Sequence, residues 1–386
     1  MPSLNKIWPN IKIDRYTIKS MTNLIDLIST AGYNSLDLFG LLVGENWPVN
    51  IEETLNRGRE DKINFIIDYA HSKNLKIIFG LSIFGWGFKE IINYDPETKS
   101  NGCSVMCGSK NKSFVWQEKI IDFITAKFNI DGFHLEAFNG GRCKCSLCNK
   151  VNNIEYFSKL NTVVAKYIKN TYWDKMVFVN NCGCLPWGDY VATKDFKHLY
   201  ELCNHIDVFL DNGCHGLFIR EENRVDFIRG LNCDFGTSGG IWFCPPSKRN
   251  RLTWFLPYAD KVYKYLKKIS NDGARACYYY MGPIINPSTK FNIYFGGLAM
   301  SNINLEFNKI LSEVIDKLYG PKNTSACKNL MEIFVRAENA YFGNWNPSMD
   351  IFTIKKEFLG GLFEFNEFAC SKKKKETNSV NITDKN

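Results

Sequence analysis

One stretch of the sequence is more informative than any other, Asp131-Gly-Phe-His-Leu-Glu-Ala-Phe-Asn-Gly-Gly-Arg-Cys-Lys-Cys-Ser-Leu-Cys148. It predicts a strand that ends in a histidine and a carboxylate and leads directly into a cysteine-rich loop. Side chains alternate between the two faces of a strand, so His134 and Glu136 share one face while Phe133 and Leu135 share the other. An ionisable pair on one face of an apolar strand indicates an active-site strand.

The loop after this strand carries three thiols within six residues, Cys143, Cys145 and Cys148, a spacing that suits a metal ion better than packing. A structural zinc site needs four ligands, and the preceding insertion offers Cys107 as the fourth, with Cys103 as the alternative. The two loops contain five cysteines and no histidine. They therefore predict a structural zinc site, and reduced thiols without a metal are the alternative interpretation.

The strands and helices predicted along the chain favour an α/β fold. Apolar runs alternate with amphipathic helical stretches, which is typical of parallel βα units. Eight strands are predicted, at residues 11–14, 33–39, 75–81, 132–138, 176–181, 206–211, 232–237 and 276–281. The prediction is a (β/α)8 TIM-type barrel with a C-terminal helical extension. An open doubly wound sheet is the alternative, but it would require a glycine-rich phosphate-binding turn after the first strand, and the sequence shows none.

Composition changes along the chain predict its organisation. We expect the barrel over residues 1–300, with a Cys-rich insertion around 100–150, and the helical extension over 301–370. Residues 371–386 are polar and lysine-rich without apolar periodicity, so they predict a disordered tail.

Composition also narrows the class of partner. The chain has 386 residues and 45% hydrophobic content, enough for a large core. Aromatic residues are dense, with 29 Phe, 18 Tyr and 9 Trp, as is usual for a cleft that binds sugars. The net charge of +8 is modest, and no basic stripe indicates nucleic acid. A carbohydrate is therefore the expected partner, and the sequence does not indicate an oligomeric state.

The cellular compartment is predicted from the first residues and from the cysteines. The chain opens without an apolar signal segment, and no apolar run is long enough to span a bilayer. Fourteen cysteines then favour a reduced interior with free thiols and one metal cluster. The expectation is a cytoplasmic protein that does not interact with membranes.

The expected active site lies at the C-terminal ends of the barrel strands, where such barrels place their reacting groups. Glu136 is the predicted general acid, because burial among aromatic rings would favour its protonated form. Asp211 is the predicted base or electrostatic stabiliser, and His134 is expected to orient Glu136 or a substrate hydroxyl. Two alternatives are open: Glu136 could pair with Arg142, and Asp211 could cap the turn that follows it.

Further polar and aromatic residues near the strand ends are predicted to bind the substrate. Aromatic rings would stack on sugar faces, and arginines could hold a carboxylate-bearing sugar. The predicted substrate-binding residues are Asp37, Trp47, Trp86, Asn181, Asp207, Trp242, Arg249, Tyr280 and Asn286.

Two further stretches give the chain a resemblance to known proteins. The first is the helical pattern followed by Tyr33-Asn-Ser-Leu-Asp-Leu-Phe-Gly40 and a loop with Trp47, which resembles the early barrel segment of hexosaminidases. The second runs from Asn286-Pro-Ser through Asn292-Ile-Tyr-Phe-Gly-Gly-Leu-Ala299 to Leu318-Tyr-Gly-Pro321. It resembles the end of the barrel in α-glucuronidase-like proteins.

The chain thus looks like a diverged member of the glycoside hydrolase (β/α)8 group that contains β-hexosaminidase-type and α-glucuronidase-type barrels. This resemblance implies hydrolysis of a glycosidic bond, with Glu136 in the place of an acid. The paired Asp-Glu of hexosaminidases is replaced here by His134-Leu-Glu136. The predicted function is a glycosidase. The alternatives are a non-catalytic carbohydrate-binding barrel and a metal-dependent hydrolase.

Overall fold

A computed structural model describes much of the chain. The described residues are 6–9, 17–39, 42, 46–137, 141–181, 185, 187–211, 222–243, 257, 259–281 and 287–342. The predicted tail at 371–386 lies outside these residues.

The described residues form eight parallel strands that close into a barrel in chain order, which confirms the predicted fold class. The strands are β1 (Lys6–Pro9), β2 (Ser35–Phe39), β3 (Lys76–Ile83), β4 (Gly132–Ala137), β5 (Met176–Asn180), β6 (Val208–Leu210), β7 (Asp234–Phe243) and β8 (Ala276–Met281).

Two strands differ from the prediction. The first described strand is Lys6–Pro9, which pairs with β8 as well as with β2 and so closes the barrel. The strand predicted at residues 11–14 lies outside the described residues. Strand β7 continues six residues beyond its predicted end at 237, as far as Phe243. A shift in register between Thr237 and Ile241 lets the strand resume pairing with β8.

Helices connect the strands and extend the chain beyond the barrel. Between the strands lie α1 (Ile18–Thr30), α2 (Arg57–Ser72), α3 (Lys89–Tyr94), α4 (Asn111–Lys127), α5 (Asn153–Thr171), α6 (Trp187–Ala192), α7 (Lys197–Cys203), α8 (Glu222–Arg229) and α9 (Ala259–Asn271). After β8 follow α10 (Pro287–Ser301), α11 (Phe307–Tyr319) and α12 (Thr324–Phe342). The last two lie within the predicted C-terminal helical extension, whereas α10 precedes its predicted start. No helix in the described part of the chain is both long and apolar enough to cross a lipid bilayer.

The helices form because their apolar residues recur at helical spacing. In α1, the buried residues are Met21, Leu24, Ile25 and Ile28, which lie on one stripe of the helix. The Thr17 side chain accepts the Ser20 N–H at 3.1 Å and caps the first turn. The helix therefore begins directly after its N-cap residue, Thr17, and buries one face.

Strand alternation divides the apolar residues into two layers. On β4, Phe133 and Leu135 belong to the main core, which fills the space between strands and helices. A smaller cluster fills the barrel interior, and it comprises Ile78, Phe178, Val208, Leu210 and Ala276, with Trp86 and Met176 packed against it. We call this set the interior cluster. Those of its members that lie in strands have the same parity as His134 and Glu136, so these two polar residues also point into the barrel.

Candidate active site at the carboxyl end of the barrel

A line of polar side chains rises through the barrel interior toward its carboxyl end. Asp37 on β2 is in register with Ile78 of the interior cluster, and His134 on β4 is in register with Phe178 of the same cluster. Glu136 stands two residues beyond His134. All three polar residues are at most 5% exposed. The strand pattern therefore brings two carboxylates and one imidazole into a shared buried environment.

The Glu136 carboxylate lies against two polar neighbours. Its Oε1 accepts a hydrogen bond from the Asn180 amide at 2.9 Å. The His134 Nε2 atom lies 3.5 Å from the same oxygen. The predicted general acid therefore sits at the end of β4, inside the barrel, with an amide donor and an imidazole beside it.

The opposite nitrogen of His134 makes the shorter contact, with Nδ1 2.8 Å from Asp37 Oδ2. This contact crosses β3, whose residue in register with His134 is Gly80. Glycine contributes no side chain, so the imidazole has room to reach across to β2. A carboxylate on Nδ1 fixes that nitrogen as the N–H and orients the ring toward Glu136.

The alternative in which Arg142 neutralises Glu136 is not the arrangement seen. The Arg142 guanidinium donates to Asn153 Oδ1 at 2.6 Å and to the carbonyl oxygens of Cys148 and Val151. It also lies over the Tyr156 ring, 4.9 Å from the ring centroid. These contacts hold the loop after β4 against the start of α5.

Asp211 is at the carboxyl end of β6, as predicted, but its carboxylate does not face the barrel interior. Its Oδ2 accepts from the Arg224 guanidinium on α8 at 2.9 Å and from the Asn181 amide. The Tyr190 hydroxyl on α6 lies 3.4 Å from the same oxygen. Asp211 has the strand parity of Phe209, which packs on Phe157 of α5 outside the barrel. The prediction that Asp211 is the partner of Glu136 is therefore wrong: it forms a buried ion pair on the helix side.

The same alternation of side chains argues against the predicted substrate-binding roles of Asn181 and Asp207. Asn180 has the inward parity of Phe178 and reaches Glu136, whereas Asn181 points the other way and donates to Asp211. Asp207 precedes β6, so it lies at the amino end of the barrel, opposite the site. There it accepts from Lys169 at 2.8 Å and from the Val177 N–H at 2.6 Å.

The two predicted indoles on the early loops have different surroundings. Trp86 is partly exposed and packs on the interior cluster. The backbone N–H of Trp86 donates to the Ser82 hydroxyl at 3.1 Å, and Ser82 is in register with Glu136. Trp47 is only 6% exposed and belongs to the main core. Trp86 therefore stays a candidate for stacking, whereas Trp47 packs within the main core.

The remaining predicted binding residues are only partly described. Trp242 lies within β7 and not in the predicted loop, where it is in register with Tyr280 of β8. The predicted positions Arg249 and Asn286 lie outside the described residues.

Some site residues are not evident from the sequence pattern. Gly80 is one: it follows apolar residues in β3, and its position has the inward parity of His134. Arg224 and Tyr190 are two more, because no local pattern reveals that they meet Asp211. Asn180 could have been chosen as the site residue in place of Asn181, because it lies two residues after Phe178 and so shares the face of that apolar residue on β5.

Four thiols come together beside this site, and we call them the cysteine cluster. Its members are Cys107, Cys143, Cys145 and Cys148. All four sulfur atoms lie within 4.8 Å of one another. They are the four predicted ligands, and Cys103 is not among them.

The thiols of the cysteine cluster differ in acidity. Burial raises the pKa of the Cys143 and Cys148 thiols. Burial also acts to raise the pKa of Cys145, but hydrogen bonds from the Ser109 hydroxyl and the Cys148 backbone N–H outweigh it and lower that pKa to about 6. Cys145, which is partly exposed, therefore ionises most readily of these three.

Comparison with known proteins gives structural neighbours only. No protein-family model matches the chain, and no curated protein sequence matches it. Among solved structures, the chain is similar to a chitobiase of Flavobacterium johnsoniae, with a TM-score of 0.52 and 14% identity over 89% of this chain and 55% of that one. It is also similar to a β-N-acetylhexosaminidase from Bacteroides fragilis, with a TM-score of 0.56 and 13% identity over 82% and 70% of the two chains.

A third similar structure is a GH138 enzyme that targets pectin rhamnogalacturonan II, with a TM-score of 0.60 and 12% identity over 88% of this chain and 44% of that one. The chain thus spans about half the length of two of these three enzymes. At such identities the likeness concerns the fold, and it confirms the resemblance to barrels of the hexosaminidase type. The chain therefore shares the barrel fold of these three enzymes.

Proposed function

We propose that this protein is a glycoside hydrolase in which Glu136 is the general acid. The observation that carries the proposal is the position of Glu136, which is buried, points into a glycosidase-like barrel and accepts from Asn180 at 2.9 Å. Glycoside hydrolysis needs a carboxyl group that protonates the leaving oxygen. The carboxyl ends of the strands are where barrels of this type place their chemistry.

The hydrogen bonds around Glu136 suggest how the proton is held. Because the Asn180 amide donates to Oε1, the proton of the neutral acid is placed on Oε2, and from there it would pass to the leaving oxygen. His134 would orient the Glu136 carboxyl group, because its Nε2 lies 3.5 Å from Oε1 and Asp37 holds the opposite ring nitrogen at 2.8 Å. His134 and Asp37 are positioning residues in this proposal.

The expected substrate is a carbohydrate, and Trp86 is the described aromatic residue best placed to contact it. Its ring packs on the interior cluster and is partly exposed. An indole in this position can stack on the apolar face of a sugar ring.

The direct test is the substitution Glu136→Gln, which keeps the size of the side chain but removes the acid. Turnover of aryl glycosides and uronides should fall by at least about 100-fold, the lower range for loss of a general acid. Circular dichroism and sugar binding should be nearly unchanged. The control Glu332→Gln alters a side chain on α12 that is 65% exposed, and it should retain full activity. Wild-type turnover in the Glu136→Gln variant would overturn the proposal.

A second candidate function is a carbohydrate-binding barrel that has lost catalysis. One observation favours it: the carboxylate predicted as the catalytic partner, Asp211, is ion-paired with Arg224 at 2.9 Å. Calorimetry with the same sugars separates the two functions. Saturable binding without any turnover by the wild-type protein would favour the binding function, whereas turnover that depends on Glu136 would exclude it.

A further inference from the structure

We propose that the cysteine cluster binds one zinc ion in a closed structural site that clamps two loops at the rim of the barrel. This proposal is independent of the glycosidase function. The clamp would join the loop after β4, which supplies three of the thiols, to the insertion between β3 and α4, which supplies Cys107.

The distances between the sulfur atoms match those of a tetrahedral zinc site. The Cys107 Sγ atom lies 3.4 Å from Cys143, 3.8 Å from Cys145 and 3.8 Å from Cys148. With zinc–sulfur bonds of about 2.3 Å, ideal tetrahedral geometry places the sulfur atoms roughly 3.8 Å apart. The four thiols therefore already surround a space suited to one ion.

The same distances argue against a disulfide and against a multi-iron cluster. A disulfide would bring two sulfur atoms to about 2.05 Å and leave the other two thiols without a reason to converge. A multi-iron cluster would hold the thiolates on separate iron atoms and so spread them more widely than 4.8 Å. Three of the four side chains are at most 3% exposed. A buried group of four converging thiols is typical of a mononuclear structural site.

Backbone and hydroxyl donors surround the cluster, as expected for a thiolate site. The Asn101 N–H points to Cys143 Sγ at 3.3 Å, and the Cys148 N–H points to Cys145 Sγ at 3.4 Å. The Ser109 hydroxyl contacts Cys107 Sγ at 3.1 Å. Donors of this kind orient metal ligands and offset the charge of the thiolates.

The coordination set indicates a structural role for the ion. Four protein ligands fill a tetrahedral zinc site and leave no position for water or substrate, unlike catalytic zinc sites, which keep one position open. The metal-dependent hydrolase is therefore not favoured by this geometry.

The position of the site indicates what the ion would stabilise. Cys143 follows Glu136 by only seven residues. On the other loop, the Cys107 N–H donates to Thr98 O at 2.8 Å and the Met106 N–H donates to Phe84 O at 3.1 Å, just beyond β3. The ion would therefore fix the rim next to both Glu136 and Trp86.

Metal analysis of the purified 386-residue chain tests the site. We expect one zinc per chain by mass spectrometry, and tetrahedral thiolate absorption bands after exchange with cobalt. Cys107→Ser should reduce the bound zinc to a small fraction. The control Cys103→Ser alters a thiol in the same insertion, 3.1 Å from the Ser100 hydroxyl and outside the cluster, and it should keep one zinc.

Alkylation footprinting of the wild-type protein keeps the test decisive if Cys107→Ser fails to fold. The cluster thiols should resist alkylation in the zinc-loaded protein and react after chelation, whereas Cys103 should react at a similar rate in both states. Either of two results would overturn the proposal: zinc uptake below one per chain by protein supplied with excess zinc, or equal alkylation of the cluster with and without chelator. Stoichiometric iron in place of zinc would also contradict it.

Discussion

At the scale of single residues, two neighbouring asparagines at the end of β5 have different partners. Asn180 donates to Glu136 inside the barrel, and Asn181 donates to Asp211 on the helix side. Matched alanine substitutions therefore separate a role in the proposed reaction from a role in stability.

Asn180→Ala should lower kcat by about 10- to 100-fold, because it removes a hydrogen bond to the Glu136 carboxylate that forms as the proton leaves, and a bond to such a charged group is worth roughly 1.5–3 kcal/mol. Asn181→Ala should leave kcat within about threefold and lower the free energy of unfolding by about 1–3 kcal/mol. Steady-state kinetics and urea denaturation of both variants measure these effects. A loss of kcat in Asn181→Ala as large as that in Asn180→Ala would contradict the assignment.

The Asp211–Arg224 pair gives a second prediction at this scale. Both side chains are at most 4% exposed, so removal of one leaves an uncompensated buried charge. Arg224→Met should lower the free energy of unfolding by about 3–5 kcal/mol. Adding Asp211→Asn should recover part of this loss, because no buried charge then remains.

Urea denaturation of the single and double variants measures the effect of the pair. The control Arg229→Met lies on the same helix, with its side chain 49% exposed, and should change stability by less than about 1 kcal/mol. A double variant no more stable than Arg224→Met alone would show that the cost does not come from the charge left on Asp211.

At the scale of elements, α12 and α9 meet through a buried carboxyl group. The Glu338 carboxyl accepts the backbone N–H groups of Asp260 and Lys261, each at 2.8 Å, at the first turn of α9. These N–H groups have no partner within the helix, so the contact caps α9 from a different helix. Even so, burial outweighs these hydrogen bonds and raises the pKa of Glu338 to about 7.

This raised pKa predicts a pH dependence of stability. The folded protein binds the Glu338 proton more tightly than the unfolded chain, whose value is near 4.5. The stabilisation is therefore fully present below pH 4.5 and is lost as the pH rises through about 7. The loss is on the order of 3 kcal/mol, at about 1.4 kcal/mol per pKa unit.

Comparison with Glu338→Gln isolates this contribution from that of other titrating groups. Between pH 4.5 and 7.5 the wild-type protein should lose more stability than the variant, as measured by urea denaturation at each pH. Glu332→Gln, on the exposed side of α12, should show the wild-type slope. Identical slopes for wild type and Glu338→Gln would refute the assignment.

At the scale of the whole molecule, α10, which follows the last barrel strand, packs against the turn before β2, near the first barrel strands. The Tyr33 hydroxyl donates to Ile293 O and the Ser301 hydroxyl donates to Gly32 O, each at 2.9 Å. Gly297 lies between these contacts, and a Cβ there would overlap the Ala31 carbonyl oxygen and the Tyr33 ring. The close approach of α10 to the turn before β2 therefore requires a glycine.

Gly297→Ala should destabilise the protein by about 1–3 kcal/mol through overpacking, although alanine favours helices. Gly188→Ala is the matched control, because a Cβ at that position in α6 meets no atom within 4 Å. It should be neutral or stabilising by up to about 1 kcal/mol. Thermal denaturation of both variants tests this, and equal melting temperatures for the two would contradict the packing argument.

Much of the fold follows from local patterns in the sequence. Seven strands lie where apolar runs predict them, although β7 continues six residues further, and the C-terminal helices follow from helical periodicity. The parity that places His134 and Glu136 on one face of β4 is also local, since it repeats every two residues. The Cys-x-Cys-x-x-Cys spacing is local too, and it predicts three members of the cysteine cluster.

Contacts between distant segments decided the rest. β1 has a weak apolar pattern, and its pairing with β8 determines where it lies. Asp207 and Asp211 have the same parity, as predicted, but only the packed barrel shows that this parity faces the helices and that Asp207 lies at the opposite end. The periodicity of a strand shows which side chains share a face. It does not show which face points toward the helices, nor which charged group a side chain meets there. These depend on elements far away in the sequence, such as α8, which supplies Arg224 to Asp211.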